Sequence, residues 1–456
     1  MPTATTDVAI IGAGNIGIAV AYYLVTQHGV ADVVLLDSGD PMALTSAQSG
    51  ENYRNWWPHP VMTAYTDHAI SLLEEVAQAS GNRIHMNRRG YALVTRRERP
   101  EDLVAELYRG YGEGGADRIR LHEGGSASTY QPAITADWTT APDGVDVLMD
   151  RALIRAHFPS LALDAGTILH IRRAGDISGQ QLGQFMLEAI RAAGGRLLRA
   201  QVTAIESGPP FTLSLRDEAG SSTLRADRIV NAAGPFFSQI ATMLGEDLPL
   251  SYVYQQKIAF EDRENAIPRD LPFTIDLDGQ ELAWTDEERE LLASDPEAAI
   301  LLRPLPGGVH RRPEGSESGR WIKLGWAYNT APGDPAGEPP LDPNFPDVVL
   351  RGASRLSPAL RTYLGRLPRG ARHYGGYYAM TPENWPLIGP MRTPGAFMAG
   401  ALSGFGTMAS TATGAVCAAW MAGSELPSYA SALSLERYAD QALMSELRDS
   451  ASKGVL

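Results

Sequence analysis

The chain has 456 residues, 44% of them hydrophobic, with 39 Lys and Arg against 53 Asp and Glu for a formal charge of −14. The acidic excess argues against nucleic acid or an anionic membrane as partner. A single cysteine, Cys417, excludes internal disulfides and multi-cysteine metal sites, so no metal is expected, and no apolar run of about 18 residues is present to span a bilayer as a helix.

The first forty residues carry the clearest pattern. Val8-Ala9-Ile10-Ile11 reads as a buried strand and runs into Gly12-Ala13-Gly14-Asn15-Ile16-Gly17. Residues 18–24 have helical character, and Val33-Val34-Leu35-Leu36 gives a second buried strand that ends on Asp37. This is a β-α-β unit with glycines and acid at the spacing of a dinucleotide fingerprint. Gly12 permits the tight turn, Gly14 lets backbone approach a pyrophosphate, and Gly17 lets helix and strand pack closely. The helix N-terminus offers N–H groups to phosphate oxygens, and Asp37 can accept from a ribose diol. The spacing alone does not separate FAD from NAD. The N-terminal apolar run is this strand, with no basic leader before it, so a soluble, cytoplasmic protein is expected. The length predicts two domains.

Residues 38–55 form a long polar loop that ends in Tyr53-Arg54-Asn55-Trp56-Trp57-Pro58-His59, where two tryptophans beside an arginine suggest an ordered wall. Residues 62–78 read as an amphipathic helix, 90–95 as a strand, 96–115 as a charged helix and 116–170 as mixed. A helix is expected over 182–193, a strand over 196–205, a hairpin over 211–224, and a buried strand over 227–231 that enters Ala232-Ala233-Gly234-Pro235. Residues 252–261 read as a strand, and 262–299 as an acidic, irregular segment with one helix near 286–293. A hairpin spans 301–330 with His310 on one arm and Trp321-Ile322-Lys323-Leu324-Gly325-Trp326 on the other. A helix over 347–364, a segment 374–390, a strand 396–399, a Gly-rich loop 400–406 and a small-residue helix 407–421 close the pattern.

The N-terminal unit, Asn231-Ala232-Ala233-Gly234-Pro235, and the pair Met380-Thr381-Pro382-Glu383-Asn384-Trp385-Pro386-Leu387-Ile388-Gly389 and Gly400-Ala401-Leu402-Ser403-Gly404-Phe405-Gly406 resemble the FAD-dependent amine-oxidising family that includes D-amino acid oxidase, glycine oxidase and sarcosine oxidase. The resemblance implies an α/β fold with a discontinuous Rossmann-type FAD-binding domain (1–88, 155–248 and 371–456) and a substrate domain on a mixed β-sheet (89–154 and 249–370). It also implies a cofactor site formed by Gly12, Gly14, Asn15, Ile16, Gly17, Asp37, Ser46, Val202, Ala233, Gly234, Gly404, Phe405, Gly406, Thr407 and Met408. Gly376 stands where monomeric sarcosine oxidases have their flavin-linking cysteine, and residues 45–50 hold no histidine, so non-covalent FAD is expected.

Lys323 matches the lysine that sits over the flavin in monomeric sarcosine oxidase and assists oxygen reduction, and His310 falls where that enzyme has a substrate-site tyrosine. Arg54 persists as a candidate for substrate carboxylate. Met408 and Ala327 replace a carboxylate-binding lysine and an active-site histidine, which argues against sarcosine itself. The resemblance therefore implies oxidation of a C–N bond in a small amine or amino-acid-like substrate by hydride transfer to flavin N5, with oxygen as acceptor. A 2-hydroxy acid oxidoreductase and a flavin-binding assembly or relay subunit are the alternatives. The segment 262–299 is longer than in the compact oxidases and is expected to form a lid or a subunit contact in an oligomer.

Overall fold

The structure is a computed structural model, and it describes residues 4–124, 128–133, 137–296, 298–315 and 318–449. Two large sheets organise it. In the first, strand Ala4–Ile11 lies parallel between Val33–Asp37 and Gly220–Asn231, Arg196–Arg199 extends one side, and Ala396–Gly400 joins Gly220–Asn231 in parallel from the far end of the sequence. Val8 to Ile11 are buried on both faces, as a continuous apolar run in a parallel sheet requires. Helices Asn15–Gln27, Pro60–Ala79, Gly179–Ala192 and Gly406–Ala422 cover one face. On the other face Ala9, Ile11, Val34 and Leu36 meet Phe211, Leu213, Phe237 and Ile240. The small residues expected over 407–421 have a use: a Cβ on Gly414 would lie 2.5 Å from the Ala19 carbonyl carbon, so the first and last long helices cross backbone to backbone.

The second sheet is mixed and nine-stranded, and its centre runs from Ser251–Glu261 through Trp321–Gly325, Val309–Glu314, Phe273–Asp276 and Tyr91–Thr95 to Thr167–Ile171. Its outer face is closed by helix Phe345–Leu356.

Several expectations shift. Strands Thr167–Ile171 and Arg372–Met380, assigned by sequence to the cofactor-binding parts, belong to the second sheet, where they pair with Tyr91–Thr95 and Ser251–Glu261. Their apolar and alternating patterns fit either sheet, and only the pairing decides. The hairpin arm over 222–224 and the buried strand over 227–231 are one strand, Gly220–Asn231, whose first part pairs with Phe211–Asp217 and whose later part lies in the parallel sheet. The helix expected over 347–364 ends at Leu356, and a 3₁₀ turn, Pro358–Tyr363, follows, because Pro358 removes an N–H and its ring clashes with the preceding turn. Within the segment 262–299, Asp262 accepts from the Ala266 and Ile267 amides, Phe273–Asp276 is an interior strand of the second sheet, and a helix, Asp286–Ser294, follows.

Candidate active site

The turn after the first strand needs its glycines. Gly12 has φ +110°, and a Cβ there would sit 2.2 Å from the Ala232 carbonyl oxygen; one on Gly17 would sit 2.0 Å from the Gly12 oxygen. The Asp37 carboxylate is fixed by accepting from the Ala13 amide at 2.8 Å and the Gly39 amide at 2.9 Å. The Asn15 amide donates to Ser46 Oγ at 3.1 Å. Gly12, Asn15, Asp37, Gly39 and Ser46 line a cavity of about 250 Å³, together with Gly14, Ile16, Ala233, Gly234, Gly376 and the loop Gly400-Ala401-Leu402-Ser403-Gly404.

Two helix N-termini converge on this space. Neither the helix from Asn15 nor the helix from Gly406 carries an acidic residue in its first turn, so both dipoles present positive ends. Asn15 Nδ2 donates to Thr407 Oγ1 at 3.3 Å, and that hydroxyl donates to Ser49 Oγ at 2.8 Å, which ties the two termini together. Between them, Ala401 and Ser403 hold left-handed backbone, φ 57° and 47°. Non-glycine residues pay roughly 1–3 kcal/mol for that conformation, and such strain collects at functional loops.

A second cavity of about 370 Å³ adjoins the first, and Ser49, Gly50, Lys257, Tyr378, Ser403, Gly404 and Thr407 line both. Its apolar walls come from Trp57, Tyr91, Phe273, Met380, Phe405 and Met408, and its polar groups include Arg54, Gln255, Lys257, His310 and Asn384. Arg54 is buried on the short strand Asn52–Arg54 with its guanidinium 4.8 Å from the Trp57 ring centroid and 5.6 Å from that of Tyr91. Burial pulls it down to about 10, so it stays charged at neutral pH. Burial also pushes the His310 imidazole down to about 3, helped by Lys257, Arg311 and Lys323. The neutral ring has its Nδ1 3.0 Å from the Gly308 carbonyl. A carbonyl only accepts, so Nδ1 carries the proton and Nε2 presents a lone pair. Gly325 stands opposite both His310 and Lys257 in the sheet register. A Cβ there would meet His310 Nε2 at 2.4 Å and Lys257 Cγ at 3.1 Å, so this glycine makes room for the two side chains.

Residues 7–420 match the family described as FAD dependent oxidoreductase. The chain belongs to the FAD-dependent oxidoreductase family. Its cofactor is FAD, and the first cavity suits one: a glycine cradle that side chains would fill, two helix N-termini, and Asn15 Oδ1, buried there without a partner among the described residues. Dimethylglycine dehydrogenase of Rattus norvegicus, a mitochondrial protein, is 27% identical over 299 residues, which cover 64% of this chain and 30% of that protein. The human protein of that name gives 27% over 303 residues with the same coverage. The chain thus spans about a third of the length of these relatives. Among solved structures, glycine oxidase from Geobacillus kaustophilus superposes with a TM-score of 0.69 at 17% identity, covering 95% of this chain and 99% of that one. L-Proline dehydrogenase from P. horikoshii gives 0.69 at 16%, covering 96% and 99%.

Within this FAD-dependent fold most of the expected site residues gather. Gly12, Gly14, Asn15, Ile16, Asp37, Ser46, Ala233, Gly234, Gly404, Gly406 and Thr407 line the first cavity; Phe405, Met408, Arg54 and His310 line the second. Gly17 lines neither and acts by packing on Gly12. Val202 is buried in the apolar cluster behind the sheet and lines neither cavity. Only one of the two tryptophans forms the wall: Trp57 meets Phe405 edge-on at 4.8 Å, whereas Trp56 turns into the cluster of Tyr91, Leu93 and Leu107. Ala327 lines the second cavity too.

Lys323 stands apart. Its Nζ lies 3.0 Å from Glu314 Oε2 and 3.7 Å from Glu51 Oε2 and donates to the Ser49 carbonyl at 3.2 Å, so it supports the cavity wall from behind and lines neither cavity. Arg312, buried beside it, donates to the Gly50 carbonyl at 2.9 Å. Sequence reading missed Lys257, the lysine that does face both cavities. The available signal was the polar run Gln255-Gln256-Lys257 inside an otherwise apolar strand.

Proposed function

We propose that this chain oxidises a C–N bond of a small amine or amino-acid-like substrate, with oxygen as the final acceptor. The observation that supports this most is the second cavity itself: a mostly apolar chamber that shares a wall with the cofactor cavity and holds one aromatic-ringed cation, Arg54, and one neutral imidazole, His310. The names of the relatives, dimethylglycine dehydrogenase and glycine oxidase, point to the same substrate class.

Bound FAD supplies the hydride acceptor, at N5, and the substrate carbon beside nitrogen becomes an imine that water hydrolyses. The chain supplies the rest. Arg54 offers a planar fork to a carboxylate. His310 Nε2 can accept a hydrogen bond from the substrate amine N–H, which holds the nitrogen in place beside the carbon that loses hydride. Trp57, Phe405 and Met408 keep water from the reacting carbon. The N–H groups opening helix Gly406–Ala422 favour negative charge on the reduced cofactor. FAD binds without a covalent link in this reading, since Gly376 faces the cofactor cavity in place of a cysteine and Thr45 and Gln48 are the side chains against it.

The test is anaerobic mixing of holoprotein with a panel of N-methylated and primary amino acids and 2-hydroxy acids. Bleaching of the flavin bands by amines supports the proposal; bleaching by hydroxy acids alone, or by nothing, overturns it. Acid precipitation should release all yellow colour into the supernatant.

A further inference from the structure

Seven residues line both cavities, and among the described residues Lys257 is the one charged side chain of that set. It lies on Ser251–Glu261, is 5% exposed, and its Nζ is 3.4 Å from the Tyr378 hydroxyl and 5.5 Å from the centre of that ring. Tyr378 in turn lies against the Gly404 turn, where a Cβ would come within 2.7 Å of its ring. No carboxylate among the described residues is within ion-pair distance of Lys257, whereas Lys323 has Glu314 and Glu51 close by. The two lysines are therefore electrostatically different. The charge of Lys323 is paired with carboxylates in its own ion cluster. That of Lys257 projects, in a site of low dielectric, into the wall where the two cavities meet.

The end of FAD that exchanges hydride with substrate has to reach that shared wall, if the reaction proposed above is right. We propose that Lys257 is the charge that tunes the electron affinity of the flavin ring. A positive charge beside the ring stabilises its anionic forms over the neutral oxidised form. It therefore raises the two-electron potential and favours addition of anionic nucleophiles, while the hydroxyl of Tyr378, 3.4 Å from Nζ, fixes where the charge sits.

The experiment uses flavin-loaded protein and two readouts that need no substrate: the two-electron midpoint potential, and the dissociation constant of sulfite, whose sulfur bonds to N5 and leaves its negative charge on the ring. Lys257→Met and Lys257→Gln should keep their flavin, weaken sulfite binding about tenfold or more, and lower the potential by the equivalent, about 30 mV for a two-electron couple. Lys257→Arg should stay within about twofold of wild type, and Lys323→Met should change both readouts far less. The inference falls if the neutral variants match wild type, if Lys257→Arg behaves like them, or if Lys323→Met gives the larger shift. Loss of flavin from both neutral variants would also overturn it, by making Lys257 a binding group rather than a tuning charge. Failure of the amine reading looks different: amines leave the wild-type flavin yellow, and the potential and sulfite comparison is unaffected.

Discussion

At the scale of single residues the second cavity has side chains on its lining, such as Arg54 and His310, and others behind its wall, such as Lys323. Arg54→Ala should raise KM for a carboxylated substrate about ten- to a hundredfold, from the roughly 1.5–3 kcal/mol of a charge-assisted bond; unchanged steady-state kinetics would remove Arg54 from the carboxylate site. His310 gives a pH signature. Its folded pKa of about 3 lies below the ordinary value of 6.5, so between those limits the unfolded chain binds the extra proton and stability must fall as pH drops. His170, also held near 3 by burial, adds the same slope. Thermal melts of His310→Asn between pH 7 and 4 should therefore show a shallower loss than wild type, and a parallel loss would contradict the neutral assignment. Arg54 and His310 were legible because each sits in a local motif with a family counterpart. Lys257 was not, because its position opposite Gly325 is a fact of strand register, and a single sequence does not encode which strands become neighbours. Lys323 shows the converse: alternation put it opposite Ile322 and Leu324, as the structure has it, but sequence could not reveal Glu314 and Glu51 waiting on that side.

At the scale of elements, the β-α-β unit was the most legible part, since strand, turn and helix are contiguous and each glycine has a local reason. Gly14 separates binding from folding. Its φ of −75° suits any residue, and a Cβ would come only as near as 3.1 Å to the movable Ser46 hydroxyl. Gly14→Val should thus fold, with far-ultraviolet circular dichroism like wild type, yet purify colourless because the side chain occupies the pyrophosphate's approach. Gly414→Ala is the reverse case. It presses a methyl into the Ala19 backbone, an overpacking cost of about 1–3 kcal/mol, and should lower the denaturant midpoint with the flavin still bound at saturating FAD. Elements separated along the chain were misassigned for a physical reason: Thr167–Ile171 is buried on both faces and would satisfy either sheet.

At the scale of the whole molecule, the cavities lie where the two sheets meet, so cofactor binding and global stability are linked. FAD at a hundred times its dissociation constant should add about 2.7 kcal/mol to the unfolding free energy, read as a higher melting temperature for holo- than for apoprotein. Limited proteolysis should cut first around the exposed helix Asp286–Ser294 and spare Asp262 to Leu282, which the interior strand Phe273–Asp276 locks in place. The interleaving of the sheets has a temporal side as well. Strand Ala396–Gly400 completes the parallel sheet against Ile229 to Asn231, and helix Gly406–Ala422 covers the first helix. During synthesis the edge of Gly220–Asn231 therefore stays open, and the face of helix Asn15–Gln27 stays bare, until the chain has been made through Ala396–Gly400 and Gly406–Ala422. The nascent chain carries its glycine turn from the start but gains the second wall of the cofactor cavity only then, so a ribosome-bound intermediate stalled before Ala396 should be unable to retain FAD.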